Sequence, residues 1–117
     1  MKILFILNPK SGKTVLDQDR LETIARCIQL NFPGADMRLT KSAGHATELA
    51  KEAAANGYEA VVAIGGDGTI NETARGLVGT NTALGVIPKG SGNGFARELG
   101  MPLLFEEAVM RLQRAQR

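Results

Sequence analysis

Ala60-Val61-Val62-Ala63-Ile64-Gly65-Gly66-Asp67-Gly68-Thr69-Ile70-Asn71-Glu72 is the stretch whose reading decides the fold. It opens on an apolar run suited to a buried strand. A helical pattern follows. Three glycines and one acid therefore sit where a strand turns into a helix. Glycine passes through positive φ at no steric cost and lets another molecule touch the backbone. A helix N-terminus offers free N–H groups and a positive dipole end to an anion. Taken alone, the stretch is a tight strand–helix turn with Asp67 or Thr69 as the N-cap.

Reading outward, Lys2 to Leu7 is a buried strand, and Leu21, Ile24, Ala25 and Ile28 mark one face of a helix from about Asp17 to Asn31. Pro33-Gly34 ends that helix. In Ala35 to Thr40, Met37 and Leu39 alternate with Asp36 and Arg38, as in a half-exposed strand. A second helix spans Gly44 to Asn56, with Ala46, Leu49, Ala50 and Ala53 inward and Gly57 as C-cap. The third helix starts near Thr69 and is expected to bury Ile70, Ala74, Leu77 and Val78; Thr69-x-x-Glu72 fits a capping box. Leu84 to Ile87 is a fourth strand, Phe95 to Leu99 a helical turn, and Leu104 to Arg117 a last helix.

Strands alternating with amphipathic helices predict an α/β fold. The expected form is a three-layer α/β/α, doubly wound, mostly parallel sheet. In such sheets ligands bind at the carboxyl ends of the strands. The loops Asn8–Thr14, Thr40–Gly44, Gly65–Thr69 and Pro88–Gly94 should all open on that edge.

Composition limits the alternatives. The chain has 117 residues, enough for one compact domain, with 44% hydrophobic and 22% charged residues. No apolar run approaches the ~20 residues of a membrane span. The Met1–Leu7 start is too short for a signal peptide, since Asn8-Pro9-Lys10 interrupts it. A net charge of +2, with four Phe, one Tyr and no Trp, gives no support for nucleic-acid binding. The single Cys27 cannot form an internal disulfide and fits a cytoplasmic protein, where it reads as a small core residue. His45 is the only histidine, so His-based metal clusters and Ser-His-Asp triads are excluded within the chain.

The loops suggest phosphate chemistry. Asn8-Pro9-Lys10-Ser11-Gly12-Lys13-Thr14 lacks the first glycine of a Walker loop, because Leu7 stands there. The dinucleotide pattern G-x-G-x-x-G fails at Asn71 when read from Gly66, and at Phe95 when read from Gly90. Phosphoryl transfer needs positioned donors, positive charge and usually Mg²⁺. Backbone N–H groups of the glycine loops supply donors, and Lys10, Lys13 and Lys89 supply charge. Asp67 is the best carboxylate to orient Mg²⁺ through water or to accept a hydroxyl proton; its structural alternative is the N-cap. Glu72 is either a capping-box member or a second polar contact. The sequon Asn71-Glu72-Thr73 reads as chance.

Asn8 to Gly12, Gly65 to Glu72, and Pro88-Lys89-Gly90-Ser91-Gly92-Asn93-Gly94-Phe95-Ala96-Arg97 together resemble the diacylglycerol kinase catalytic domain family, which includes sphingosine and ceramide kinases. Gly-Gly-Asp-Gly-Thr is shared with NAD kinases in a wider superfamily; the Asn-Pro-x-x-Gly start and the Gly-Ser-Gly-Asn loop point to the lipid-kinase branch. The resemblance implies transfer of the ATP γ-phosphate to a lipid hydroxyl, with Mg²⁺. It implies nucleotide contacts from Asn8, Pro9, Lys10, Ser11, Gly12 and Thr40, the last together with the Gly44-His45-Ala46 helix start. Gly65, Gly66, Asp67, Gly68, Thr69, Asn71 and Glu72 would cradle the phosphates, with Asp67 near the reacting centre. Gly90, Ser91, Gly92 and Asn93 would complete the site.

Two departures from the family stand out. Gly94 occupies a place where many members carry an acid. The family's C-terminal β-sandwich domain, which forms the other cleft wall, is not in this chain. The chain therefore reads as an N-terminal ATP-binding domain, weakly active or inactive alone. Lipid and peripheral membrane contact would come through the second domain, and the isolated domain could self-associate. The alternatives are an NAD kinase-like domain and a non-catalytic nucleotide-binding module.

Overall fold

The structure, a computed structural model, describes residues 2–11 and 14–88. Its elements run β1 (Ile3–Leu7), β2 (Lys10–Ser11), β3 (Thr14–Val15), α1 (Gln18–Asn31), β4 (Asp36–Leu39), α2 (His45–Ala55), β5 (Ala60–Gly65), α3 (Asp67–Leu77) and β6 (Ala83–Pro88). The readings at Gly12, Lys13, the Lys89–Gly94 loop, the Phe95–Leu99 turn and the Leu104–Arg117 helix lie outside the described residues.

β4, β1, β5 and β6 form one parallel sheet in the order β4-β1-β5-β6. The two central strands are fully buried, which explains their continuous apolar sequence. Alternate residues feed two cores. Ile3, Phe5 and Leu7 point to the side covered by Ile24 and Ile28 of α1. Leu4 and Ile6 point to the side covered by Leu49, Ala50 and Ala53 of α2 and Leu77 of α3. The expected three-layer α/β/α arrangement is therefore present. Met37 and Leu39 of β4 join the α1 side, leaving Asp36 and Arg38 exposed as their alternation predicted.

The third helix departs from the sequence reading in phase. Thr69, Thr73, Gly76 and Leu77 are its buried residues. Ile70 and Ala74 are only half-buried, and Val78 is 79% exposed just beyond the helix end. The inward face is offset by one residue because α3 packs too close to its neighbours for bulky side chains. A Cβ at Gly76 would lie 2.5 Å from the Thr47 carbonyl oxygen and 2.7 Å from Ala50 Cβ. Thr73, fully buried, satisfies its hydroxyl on the Thr69 carbonyl at 2.8 Å.

The N-cap reading is also corrected. Gly66 is the N-cap of α3 and gives no side-chain cap bond; Asp67 is the first helical residue and Thr69 lies inside the first turn. The Thr69–Glu72 capping box therefore does not form. Within the loop after β1, residues 10–11 and 14–15 pair as a short antiparallel ribbon, Lys10 opposite Val15. Two-residue strands are too short to show a period, so no residue pattern announces them.

At the amino edge of the sheet, Tyr58 Oη donates to Asp36 Oδ2 at 2.6 Å, and Lys2 Nζ lies 4.4 Å from the Tyr58 ring centroid. The hydrogen bond to Asp36 raises the Tyr58 pKa above its ordinary 10.0, with desolvation and the Asp36 charge adding to it and Arg38 opposing. The folded pKa is thus above the unfolded one. The stabilising contribution is complete below pH 10.0 and is lost as pH rises through the raised value. Tyr58 is the only tyrosine, so ultraviolet titration reads it alone. The midpoint should lie above 10.0 and fall toward it in Asp36→Ala; an unchanged midpoint in that variant would refute the pairing.

Gly76→Ala should destabilise the fold by about 1–3 kcal/mol through overpacking, despite alanine's better helix propensity. Denaturant unfolding measures this, and a stabilised variant would contradict the close approach.

Candidate functional site

The strand register levels the carboxyl ends of the sheet: Leu7 pairs with Leu39 and Ile64, and Ile64 with Ile87. Two cross-loop bonds fasten this edge. Thr40 N–H donates to the Leu7 carbonyl at 2.9 Å, and Asn8 N–H to the Ile64 carbonyl at 3.4 Å. From β1 the chain winds first to β4 on one side, then crosses to β5 and β6 on the other. That reversal leaves a crevice beyond the ends of β1 and β5, where ligands of such sheets sit.

A cavity of ≈ 570 Å³ opens there, lined by the loops after β1 and β4 and by the first turns of α3. Asn8, Pro9, Lys10, Thr40, Gly68, Thr69 and Glu72, all picked out from sequence, line it together. Gly65, Gly66, Asp67 and Asn71 belong to the same strand–helix junction but lie outside this lining. Gly65 is buried, Gly66 half-buried, and Asp67 and Asn71 are exposed. Ser11 is placed in β2 beside the cavity loop. Gly12, Gly90, Ser91, Gly92 and Asn93 lie outside the described residues. Lys41, Ser42 and Ala43 also line the cavity and were not singled out from sequence. Their only signal was their place in a loop after a strand.

The loops are held locally. Asn8 Oδ1 accepts the Lys10 N–H at 2.9 Å. His45 Nδ1 accepts the Lys41 N–H at 2.9 Å, while the His45 N–H donates to the Ser42 carbonyl at 3.2 Å. The His45 side chain is thereby used to shape the Thr40–Gly44 loop.

The helix heads differ in a way that matters. The N-cap of α1, Asp17, accepts the Arg20 N–H at 2.9 Å, so its own side chain fills that end. The N-caps of α2 and α3 are Gly44 and Gly66, with no side-chain cap bond at either. The His45 N–H is taken by the Ser42 carbonyl, but with no side-chain cap the next N–H groups of α2, which follows the lining residue Ala43, and those of the first turn of α3 are left for another acceptor. Lys10 and Lys41 face one carboxylate, Glu72, in the lining. Polar donors with an excess of cations suit an anion.

Among the described residues no group of three or more His, Cys, Asp or Glu side chains could hold a metal ion. Mg²⁺ is commonly bound through one or two carboxylates together with substrate phosphates rather than in an all-protein cage, and the carboxylate in the cavity lining is Glu72.

A second cavity of ≈ 400 Å³ lies at the opposite, amino edge, where Lys2, Asp36, Arg38, Glu52 and Tyr58 contribute mixed charges. It lacks a helix N-terminus and has no glycine loop. Its location at the wrong strand ends makes it the weaker candidate.

Comparison with known proteins gives the chain's family. The diacylglycerol kinase catalytic domain family matches residues 2–117. Diacylglycerol kinase of Bacillus subtilis (strain 168) is 40% identical over 99 residues, 83% of this chain and 32% of that protein. A "Probable lipid kinase YegS-like" protein of Pseudomonas syringae pv. syringae is 37% identical over 108 residues, 91% of this chain and 35% of its own length. The chain thus spans about a third of the curated relatives it matches. A crystal structure of a diacylglycerol kinase from Bacillus anthracis str. Sterne superposes with a TM-score of 0.66 at 36% identity, covering 92% of this chain and 39% of that one. A phosphate-loop protein solved in solution shares the fold, with a TM-score of 0.60 at 17% identity. From its parallel sheet, its glycine-bounded helix heads and these likenesses, the chain belongs to the diacylglycerol kinase catalytic domain family.

Proposed function

We propose that this chain is the ATP-binding part of a lipid kinase, which transfers the ATP γ-phosphate to a lipid hydroxyl in the whole protein. The observation that carries the reading is the pair of helix heads, capped by Gly44 and Gly66 without side-chain bonds, beside one cavity containing Lys10 and Lys41. Backbone N–H groups and lysines would hold the phosphates without covalent help. Asn8, Pro9 and Thr40 would form the side of the cavity against the rest of the nucleotide, and Ser11 and Gly12 would continue that wall. Gly90, Ser91, Gly92 and Asn93 would close the site.

In the transfer, the acceptor hydroxyl oxygen would bond to the γ-phosphorus as the bond to the ADP oxygen breaks. The hydroxyl proton needs a base. Glu72 is the carboxylate in the cavity wall, and Asp67 is exposed at the head of α3 next to the lining residue Gly68; by the family resemblance Asp67 is assigned that role or the holding of Mg²⁺ through water. Mg²⁺, when bound with ATP, would neutralise phosphate charge.

Two measurements test the reading. Mg-ATP at 100 times its dissociation constant should stabilise the full chain by about 2.7 kcal/mol, seen as a rise in melting temperature; no rise at saturating millimolar ATP would refute nucleotide binding. In the whole protein, with diacylglycerol vesicles as acceptor, Asp67→Ala should lower kcat by roughly 10² or more. Full retained activity would remove Asp67 from the chemistry.

A further inference from the structure

One side chain joins α3, whose first turns line the cavity, to α2, which follows the lining residues Lys41–Ala43. Thr47, the third residue of α2, donates its hydroxyl to the Glu72 carbonyl of α3 at 2.7 Å. Glu72 lines the cavity, whereas Thr47 does not. One turn further along α3, Gly76 lies against the same threonine, since a Cβ there would stand 2.5 Å from the Thr47 carbonyl. Thr47 therefore meets α3 at two successive turns. Beside it, Ala46 and Ala50 of α2 and Leu77 of α3 pack in one apolar cluster. Such contacts are non-directional and do not fix how far one helix slides along the other. The hydroxyl bond at Glu72 is directional and lies on the cavity side of Gly76.

We infer that Thr47 is a positioning residue: its hydroxyl fixes α3 against α2, and so sets the separation of the two helix heads across the cavity. The inference rests on the reading of that cavity as a nucleotide site. Backbone donors act over a narrow range of 2.7–3.2 Å, so a small shift of one wall weakens several phosphate contacts at once. A shift of that size leaves both cores intact.

The test compares Thr47→Val, which keeps the shape and loses the hydroxyl, with Thr47→Ser, which keeps the hydroxyl. Calorimetric titration with Mg-ATP, in the full chain, is paired with thermal melts without nucleotide. Thr47→Val should bind about tenfold more weakly, equivalent to ~1.4 kcal/mol, and Thr47→Ser should stay within about twofold of the wild type. A merely structural role would lower the melting temperature of Thr47→Val and leave the affinity of the folded protein unchanged. Unchanged affinity in Thr47→Val, or a Thr47→Ser as weak as Thr47→Val, overturns the positioning role alone. A wild type that does not bind Mg-ATP overturns the nucleotide reading and this inference with it. If Thr47→Val does not fold, Thr47→Ala carries the test. It removes the same hydroxyl without the valine's second methyl and should weaken binding about as Thr47→Val would, and wild-type affinity in that folded variant overturns the inference.

Discussion

A single residue, Gly66, separates the last residue of β5 from the first residue of α3, and the rest of the structure depends on that tight connection. The turn works because Gly65 has no side chain. Thr69, one helical turn on, folds back so that a Cβ at Gly65 would sit 3.1 Å from its Cβ and Oγ1. With no loop to spare, α3 starts at the sheet edge itself. Its head is aimed at whatever lies beyond the ends of β1 and β5. A longer or bulkier connection would carry the helix head away from that crevice.

The same economy recurs around the edge. Leu39, Leu7 and Ile64 end level, and bonds from Thr40 to Leu7 and from Asn8 to Ile64 tie two loops to the ends of β1 and β5. Gly44 enters α2 in the left-handed conformation at φ +84, which glycine adopts without strain. The two helices that meet at the cavity both begin on glycine, while α1, whose head is bonded by its own Asp17, does not. At Gly44 the left-handed backbone itself asks for glycine, but Gly66 is extended, and there a side-chain cap would be the more stabilising choice. The nucleotide proposed for this edge would give glycine at Gly66 a purpose, and the family to which the chain belongs is one of kinases.

Much of this was legible in the residues. The unbroken apolar runs at 3–7 and 60–64 could only be strands buried on both faces, and Met37 and Leu39 announced a half-exposed edge. The face of α2 followed from Ala46, Leu49, Ala50 and Ala53. The face of α3 did not, because its inward positions are Thr69, Thr73 and Gly76, chosen for closeness rather than apolarity. Hydropathy periodicity reads transfer free energy and misses a face built on small and hydroxylated side chains. Thr69 looked like a cap for the same reason: hydroxyls at a helix start favour that reading, and only its burial shows otherwise. Lys41, Ser42 and Ala43 join the cavity through the level strand ends, a tertiary property with no local pattern. Neither does sequence show that the Thr47 hydroxyl reaches a carbonyl 25 residues away.

The central claim is that the carboxyl edge, and not the amino edge, receives a nucleotide. Amide chemical-shift mapping of the isotope-labelled chain during titration with Mg-ATP tests it most directly. The account predicts saturable shifts at Lys10, Lys41, Ser42, Gly66, Gly68 and Thr69, with Lys2, Arg38 and Tyr58 unmoved. Shifts confined to Lys2, Arg38 and Tyr58, or none at saturating nucleotide, would contradict it.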